Sequence, residues 1–364
     1  MKAALTLVLA AIATCALSAA AEAVFRTVVA GYRIELPRDE GSHPDFRTEW
    51  WYVTGWLEDE SGAPLGFQQT FFRRRPGIDE DNPSRFAAKQ LLFAHAAISD
   101  PRAGKLLRDE KSARAGFGLA AAQTQRLEVS IDDWHLRSTV AGASAGYETA
   151  AHGREFSLEL ALQPTQAALL QGDNGFSRKG PEELFASYYY SLPQLQVSGR
   201  VKIGDRVHQV HGVAWMDHEW SDALLSEQSQ GWDWAGVNLE GGGALMMFRM
   251  RGIDGRARWA AASWREPPGS SQEARKFESS QVEWTALRRW RSPRTGVEYP
   301  VEWRVRVGDR VVVLRPLMED QENDARGSTG TIYWEGAVRA FDEHDKALGR
   351  GYLELTGYDR KVRL

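Results

Sequence analysis

Apolar and polar residues alternate with a period of two along much of the chain, the pattern of β-strands that bury one face. Residues 301–307 show it most clearly, with valine or tryptophan at each odd position and glutamate or arginine at each even one. Gly308-Asp309 and a second apolar segment follow, which predicts a β-hairpin. Two further hairpins are predicted on the same grounds, at residues 48–58 with 65–74 and at residues 197–203 with 206–213.

Helical periodicity is scarce, since only residues 181–185 could make a helical turn. Many short strands separated by turn residues predict an all-β fold, either barrels or sandwiches. Residues 50–58 are weakly echoed by residues 232–240, with aromatic residues at the start of each segment and Leu-Glu at its end. Two tandem copies of one barrel would explain this echo. A chance similarity is the alternative.

Residues 211–234 combine more ionisable groups and indoles than any other stretch of the chain. Alternation places Trp215, Asp217 and Glu219 on one face of a strand and His218 on the other. A buried, unpaired carboxylate costs several kcal/mol. These acids therefore lie at a solvated rim, pair with histidine, or are retained for chemistry.

The first residues have the features of a secretory signal peptide, 1–23, with a basic start, an apolar run and a small-residue end. We expect cleavage after Ala23 and a periplasmic or secreted location. A lipoprotein anchor at Cys15 is the alternative, and residues 12–14 are a poor version of the triplet that it requires. Because Cys15 is the only cysteine, cleavage leaves no thiol for disulfides, catalysis or metal binding.

Charge and composition narrow the function further. The net charge of −4 argues against nucleic acid or an anionic membrane as the main partner. The 14 tryptophans suit a ligand cavity as well as a core.

Eight short motifs run in order through the mature chain. They occupy residues 43–55, 93–100, 171–180, 186–191, 214–220, 231–234, 333–336 and 351–358, among them Ala-Trp-Met-Asp-His-Glu-Trp at 214–220. With these motifs the chain resembles the secreted AttH and carotenoid 1,2-hydratase (hydroxyneurosporene synthase) family, whose members are often called predicted secreted hydrolases. The resemblance implies two tandem lipocalin-like antiparallel β-barrel domains, which we place at residues 24–200 and 201–364.

The resemblance leaves the function open, because one fold hosts many functions. The first hypothesis is a periplasmic protein that binds a hydrophobic small molecule, an isoprenoid, polyene or lipid, in association with an inner-membrane ABC exporter. The alternative is a cofactor-independent hydratase that adds water to an isoprenoid C=C bond by acid catalysis. A secreted hydrolase ranks third, since the chain has no Gly-x-Ser-x-Gly motif.

The hydratase hypothesis assigns roles to particular residues. Asp217 or Glu219 would be the acid, Asp233 the second choice, and His218 would hold the water or re-protonate the acid. The residues expected to line the ligand cavity or stabilise a cation are Trp215, Trp220, Trp232, Trp234, Glu49, Tyr52, Tyr188 and Tyr190. The alternative is that the acids form an ion-paired corner and the tryptophans fill barrel cores. No cofactor is expected, because adding water to an alkene needs none. No metal is expected either, because His208 and His211 would lie on opposite faces of a strand.

Overall fold

The computed structural model of the protein describes residues 25–139, 146–269 and 273–363. The expected signal peptide and Cys15 lie outside these residues. The described chain is all-β, with 3₁₀ turns at Arg38–Glu40, Glu240–Gly242 and Ser279–Gln281 as its only helical segments. None of the helices in the described residues has the length and apolar character needed to cross a membrane.

The first half of the chain forms one antiparallel sheet of 13 strands, which curls into a nearly closed barrel. Its strands are β1 (Thr48–Asp59), β2 (Pro64–Arg74), β3 (Leu91–Ser99), β4 (Leu106–Arg114), β5 (Ala120–Ala122), β6 (Glu128–Ile131), β7 (Trp134–Thr139), β8 (Gly146–His152), β9 (Phe156–Gln163), β10 (Leu169–Leu170), β11 (Phe176–Arg178), β12 (Ala186–Ile203) and β13 (Arg206–Ala223). Their order is β4-β3-β2-β1-β13-β12-β9-β8-β7-β6-β5, and β10 and β11 also pair with β12.

The second half forms an antiparallel sheet of ten strands. They are β14 (Ser229–Leu239), β15 (Ala244–Gly252), β16 (Ala257–Arg265), β17 (Arg275–Phe277), β18 (Val282–Arg291), β19 (Glu298–Val307), β20 (Arg310–Pro316), β21 (Glu322–Ala325), β22 (Thr331–Phe341) and β23 (Ala347–Leu355). Their order is β17-β16-β15-β14-β23-β22-β20-β19-β18, and β21 pairs with β22. The two sheets make the two lipocalin-like domains.

The three predicted hairpins are confirmed as β1–β2, β12–β13 and β19–β20. In β19 the odd positions from Val301 to Val307 are buried, whereas Arg304 and Arg306 are exposed. The echo between residues 50–58 and 232–240 also has a topological counterpart. β1 and β14 each pair with the next strand on one side and with the last strand of their own sheet on the other.

The division between the sheets falls between Ala223 and Ser229. The boundary expected at residue 200 cuts through β12 and assigns β13 to the second domain, whereas β13 pairs within the first sheet. The reason is that β12 and β13 form one long hairpin, and β13 also pairs with β1 along its length.

A third apolar cluster lies between the two barrels, separate from the core inside each one. Tyr52 of β1 meets Trp234 of β14 edge to face, with ring centroids 5.3 Å apart. Trp56 donates a hydrogen bond from Nε1 to the carbonyl oxygen of Gly351, at 2.9 Å. Because β1 is packed on both sides, it reads as an almost continuous buried run, unlike β19.

Candidate functional site

A cleft of about 790 Å³, including its open mouth, lies between the barrels. Its walls are mostly aromatic and aliphatic, with several carboxyl groups and one lysine. The lining residues used below are Trp50, Tyr52, Thr70, Phe72, Lys179, Tyr189, Asp217, Glu219, Trp232, Trp234, Phe248, Tyr333, Glu335 and Glu354. An apolar cavity with a few convergent polar groups is the usual form of a small-molecule site.

Asp217 occupies the wall that the first barrel contributes. Oδ1 accepts hydrogen bonds from Ser191 Oγ and from Trp215 Nε1, both at 2.6 Å, and Oδ2 accepts one from the Tyr189 hydroxyl at 2.8 Å. Burial raises the pKa of Asp217 to about 7, and these three donors limit the rise because they favour the ionised form. Asp217 therefore exchanges a proton near neutral pH.

The opposite wall, from the second barrel, carries a pair of glutamates. Glu335 of β22 and Glu354 of β23 are direct cross-strand partners, so their side chains leave the same face of the sheet. Burial and the nearby Glu354 raise the pKa of Glu335 well above its usual value. The pKa of Glu354 is raised to about 7 by burial, opposed by a hydrogen bond that it accepts from Trp232 Nε1.

Tyr52 of β1 reaches this wall from the first barrel. Burial and its interaction with the Glu335 carboxyl group raise the pKa of the Tyr52 hydroxyl well above its usual value. The two barrels therefore meet in a polar contact beside the pair of glutamates.

Glu219 is paired, unlike the other cleft acids. Its Oε1 lies 2.6 Å from Lys179 Nζ and also accepts a hydrogen bond from the Ser187 hydroxyl. The same ammonium group lies over the rings of Tyr189 and Phe248, at 4.7 and 4.9 Å from their centroids. These contacts orient Glu219 and pair it with a cation, so its position suits a proton donor less well than that of Asp217.

His218 lies on the other side of β13, inside the first barrel, as alternation predicts. Its Nε2 is 2.9 Å from Glu49 Oε1, its Nδ1 is 3.2 Å from the Tyr190 hydroxyl, and its ring stacks on Trp51. Burial lowers the pKa of His218 although Glu49 favours the charged form. The sheet separates His218 from the cleft, so a role in holding water or re-protonating Asp217 does not fit its position.

Glu49 likewise faces the barrel interior instead of the cleft. It accepts hydrogen bonds from Arg73 Nε at 2.7 Å and from Ser42 Oγ at 3.0 Å. Atoms of His43, Glu49 and His218 are close enough to share an ion. The Arg73 guanidinium already neutralises this single carboxylate, so the cluster is poorly suited to a cation.

Asp233 is buried inside the second barrel. It pairs with Arg249 and Arg251 and accepts a hydrogen bond from the Tyr358 hydroxyl at 2.9 Å. It does not line the cleft, and its carboxylate oxygens are occupied by two guanidinium groups. Its expected role as second-choice acid is therefore corrected to that of an ion-paired core residue.

The predicted aromatic residues divide between cleft and core. Trp232, Trp234 and Tyr52 line the cleft. Trp215 lies in the interface cluster behind it and holds Asp217. Trp220 belongs instead to the core of the first barrel, where its ring stacks on His43 with centroids 3.8 Å apart.

Among the three consecutive tyrosines, Tyr189 lines the cleft, which corrects the expectation for Tyr188 and Tyr190. The register pairs Tyr189 with Glu219 on the neighbouring strand, and cross-strand partners share a face. Tyr188 and Tyr190 face the barrel interior, where the Tyr188 hydroxyl bonds the backbone of Val29.

The sequence analysis missed nine of these cleft residues, among them Lys179, Tyr189, Glu335 and Glu354. Glu335 and Glu354 lie within two of the motifs that carry the family resemblance, each as the only acid of a mostly apolar strand. This single acid was the sequence feature that could have identified each strand as part of the site.

Comparisons with known proteins agree with this architecture. The model of the AttH-like family matches residues 27–358. A crystal structure of an AttH from Nitrosomonas europaea superposes with a TM-score of 0.84 at 48% sequence identity, covering 92% of this chain and 100% of that one. Kievitone hydratase from Nectria haematococca shares the fold, with a TM-score of 0.68 at 13% identity over 92% of this chain and 96% of that one. No curated protein matches the chain in sequence.

Proposed function

The chain belongs to the AttH-like family, and on that premise we propose that it binds an apolar, isoprenoid-like molecule in the cleft and adds water across one of its C=C bonds. The observation that carries the proposal is Asp217, a carboxyl group with a pKa of about 7 in an indole-lined cleft. A general acid works best when its pKa lies near the working pH. The fold shared with a protein named as a hydratase supports this class of reaction.

Neutral Asp217 is the proton donor in the proposed reaction. Its proton forms a new C–H bond at one alkene carbon, and the π-electron pair that makes this bond leaves the second carbon cationic. The hydrogen bonds from Ser191, Tyr189 and Trp215 strengthen as Asp217 becomes an anion. They therefore stabilise the transition state more than the ground state, which is what catalysis requires.

The aromatic walls stabilise the carbocation. Trp50, Trp232 and Trp234 present π-systems to the cleft, and each contributes about 0.5–2 kcal/mol to a desolvated cation. Water then forms the C–O bond, and ionised Glu354 accepts the proton that the water loses. Transfer of this proton back to Asp217 through solvent restores both carboxyl groups, so the net reaction consumes one alkene and one water.

The proposal also includes a periplasmic location, supported by the signal-peptide features of residues 1–23. The competing proposal is a carrier that holds the same class of ligand unchanged and passes it to an ABC exporter. The apolar cleft supports both, and the carboxyl groups of raised pKa favour the hydratase.

Isotope incorporation separates the two. Wild type, Asp217→Asn and the control Asp205→Asn, an exposed residue in the β12–β13 turn, are incubated with geraniol, squalene and lycopene in ¹⁸O-labelled water. We expect labelled alcohol with wild type and with the control, and a rate lower by about 10²–10⁴ with Asp217→Asn. Equal binding of unaltered ligand by all three proteins, without label, would favour the carrier.

The pH dependence gives a second test. Asp217 must be protonated and Glu354 ionised, and the pKa of each is about 7. The rate should therefore fall on both sides of neutral pH. A rate that is constant from about pH 5 to pH 9 would exclude this pair as acid and base.

A further inference from the structure

A second cavity, of about 1420 Å³ including the open solvent at its mouth, continues the cleft toward the surface. The two cavities share lining residues, among them Thr48, Phe72, Trp232, Tyr333 and Glu354. A ligand longer than the inner cleft would extend into this outer part. Its lining differs from that of the cleft, because it includes three arginines besides Arg73, which is paired with Glu49.

The first of them, Arg74, is placed by the alternation of β2. Thr70 and Phe72 line the inner cleft, and Arg74 is the next residue on the same face, about 7 Å further out. Arg74 is half-buried, and its guanidinium group forms no ion pair or hydrogen bond with any residue that the structure describes. Burial and the nearby Arg47 lower the pKa of Arg74.

The other two arginines come from the chain after β23. Val362 is buried, and its backbone N–H donates to the carbonyl oxygen of Gln230 at 3.0 Å, which ties this segment to the second barrel. Arg360 and Arg363 on either side are exposed and line the outer cavity. The first barrel, through Arg74, and the second, through Arg360 and Arg363, thus place guanidinium groups around the same outer cavity.

A half-buried guanidinium without a counterion is unfavourable, and a bound anion would relieve the cost. Arginine is suited to carboxylate and phosphate, which it can bind with two parallel hydrogen bonds. We propose that the ligand is an amphipathic anion, with its apolar chain in the indole-lined cleft and a terminal carboxylate or phosphate at Arg74. This inference rests on the proposed function for the apolar half of the ligand and adds the charged end.

A matched pair of probes tests the charged end. All-trans-retinoate and all-trans-retinol share one polyene chain and differ in an anionic against a neutral end group. Quenching of tryptophan fluorescence reports binding, because Trp50, Trp232 and Trp234 line the cleft. We expect wild type to bind retinoate about tenfold more tightly than retinol, the effect of one charge-assisted contact. Added salt should reduce this preference.

Substitutions of the rim arginines test which of them produces the preference for retinoate over retinol. Arg74→Gln should remove the preference for retinoate and leave retinol affinity unchanged, whereas Arg74→Lys should keep part of it. The double substitution Arg360→Gln/Arg363→Gln tests whether the two exposed arginines contribute to the preference for retinoate. It does not disturb packing. Arg206→Gln, an exposed residue at the start of β13 that lines neither cavity, is the matched control and should bind as wild type does.

The outcomes separate this inference from the proposed function. Retinol binding with no preference for retinoate, in wild type and variants alike, would overturn the anionic end and leave the apolar cleft intact. Displacement of retinoate by equimolar inorganic phosphate would overturn the amphipathic ligand in favour of a simple phosphate site. Failure of both retinoids to bind would overturn this inference together with the proposed apolar ligand.

Discussion

Replacing Asp217 by asparagine should change how the stability of the protein depends on pH. The substitution keeps the size of the side chain. The amide oxygen can still accept from Ser191 and Trp215, and the amide nitrogen can donate to the Tyr189 hydroxyl. The variant should therefore fold, and its main difference from wild type is the loss of one titratable group inside the cleft.

The magnitude follows from the pKa shift. The folded pKa of Asp217 is about 7, against an ordinary value of 3.8. Between these values the folded chain keeps a proton that the unfolded chain has released, so the free energy of unfolding falls as the pH rises. The full effect is about 4 kcal/mol, and roughly 3 kcal/mol of it lies between pH 4.5 and pH 8.5.

Urea unfolding followed by tryptophan fluorescence measures this effect at a series of pH values. Glu335 and Glu354 also titrate, but they are present in both proteins and largely cancel in the difference. Relative to Asp217→Asn, the free energy of unfolding of wild type should fall by roughly 3 kcal/mol between pH 4.5 and pH 8.5. Asp205→Asn, whose carboxyl group is exposed, should run parallel to wild type. Parallel curves for wild type and Asp217→Asn would refute the burial argument and remove the basis for a neutral acid in the cleft.

Three further substitutions test other parts of the structure. Glu49→Gln should destabilise the first barrel by about 3–5 kcal/mol in chemical denaturation, because it leaves Arg73 buried without its carboxylate, and adding Arg73→Gln should restore part of the loss. Gly212→Ala should cost about 3 kcal/mol or more by the same assay, since a Cβ there would lie 1.9 Å from a backbone oxygen of β1; a stability equal to that of wild type would contradict this packing. Tyr189→Phe removes a hydrogen bond that favours ionised Asp217, so the fall in rate on the alkaline side of the pH–rate profile should move to higher pH, and an unchanged alkaline side would argue against Asp217 as the acid.

Alternation predicted much of the fold and part of the site, because it depends only on local geometry. It correctly separates Asp217 and Glu219 from His218, and it correctly identifies strands such as β19 that have one wet face. It could not say which face of β12 looks into the cleft. Both faces of that strand are apolar near Tyr189, since one packs in the barrel core and the other against the second barrel.

Hairpin register would have corrected one site prediction. Asp233 on β14 lies directly opposite Arg249 on β15, and Arg251 has the same parity. Counting outward from the turn at residues 240–243 gives this pairing without any long-range information. Two arginines on the neighbouring strand therefore favour an ion-paired core role for Asp233 over a catalytic role.

Glu335 and Glu354 required information that local patterns do not hold. Each is the only acid of its strand, and a single acid there resembles a solvent-facing position. Only the pairing of β22 with β23, and the packing of that face against the first barrel, brings the two acids to the cleft. Such contacts depend on how whole sheets pack, which is why the sequence analysis passed over them.

The chemistry of the cleft depends on the contact between the barrels. Asp217 comes from the first barrel and Glu335 and Glu354 from the second, and burial is the largest cause of the raised pKa of each. Each barrel therefore excludes water from the acids of the other. If the barrels separated, solvation would return these pKa values toward ordinary carboxyl values, and none of the three would hold a proton at neutral pH. Contact between the barrels is therefore what raises the pKa of Asp217. Substitutions that loosen this contact, for example at the hydrogen bond from Trp56 to Gly351, should lower the pKa of Asp217 although they lie outside its own contacts.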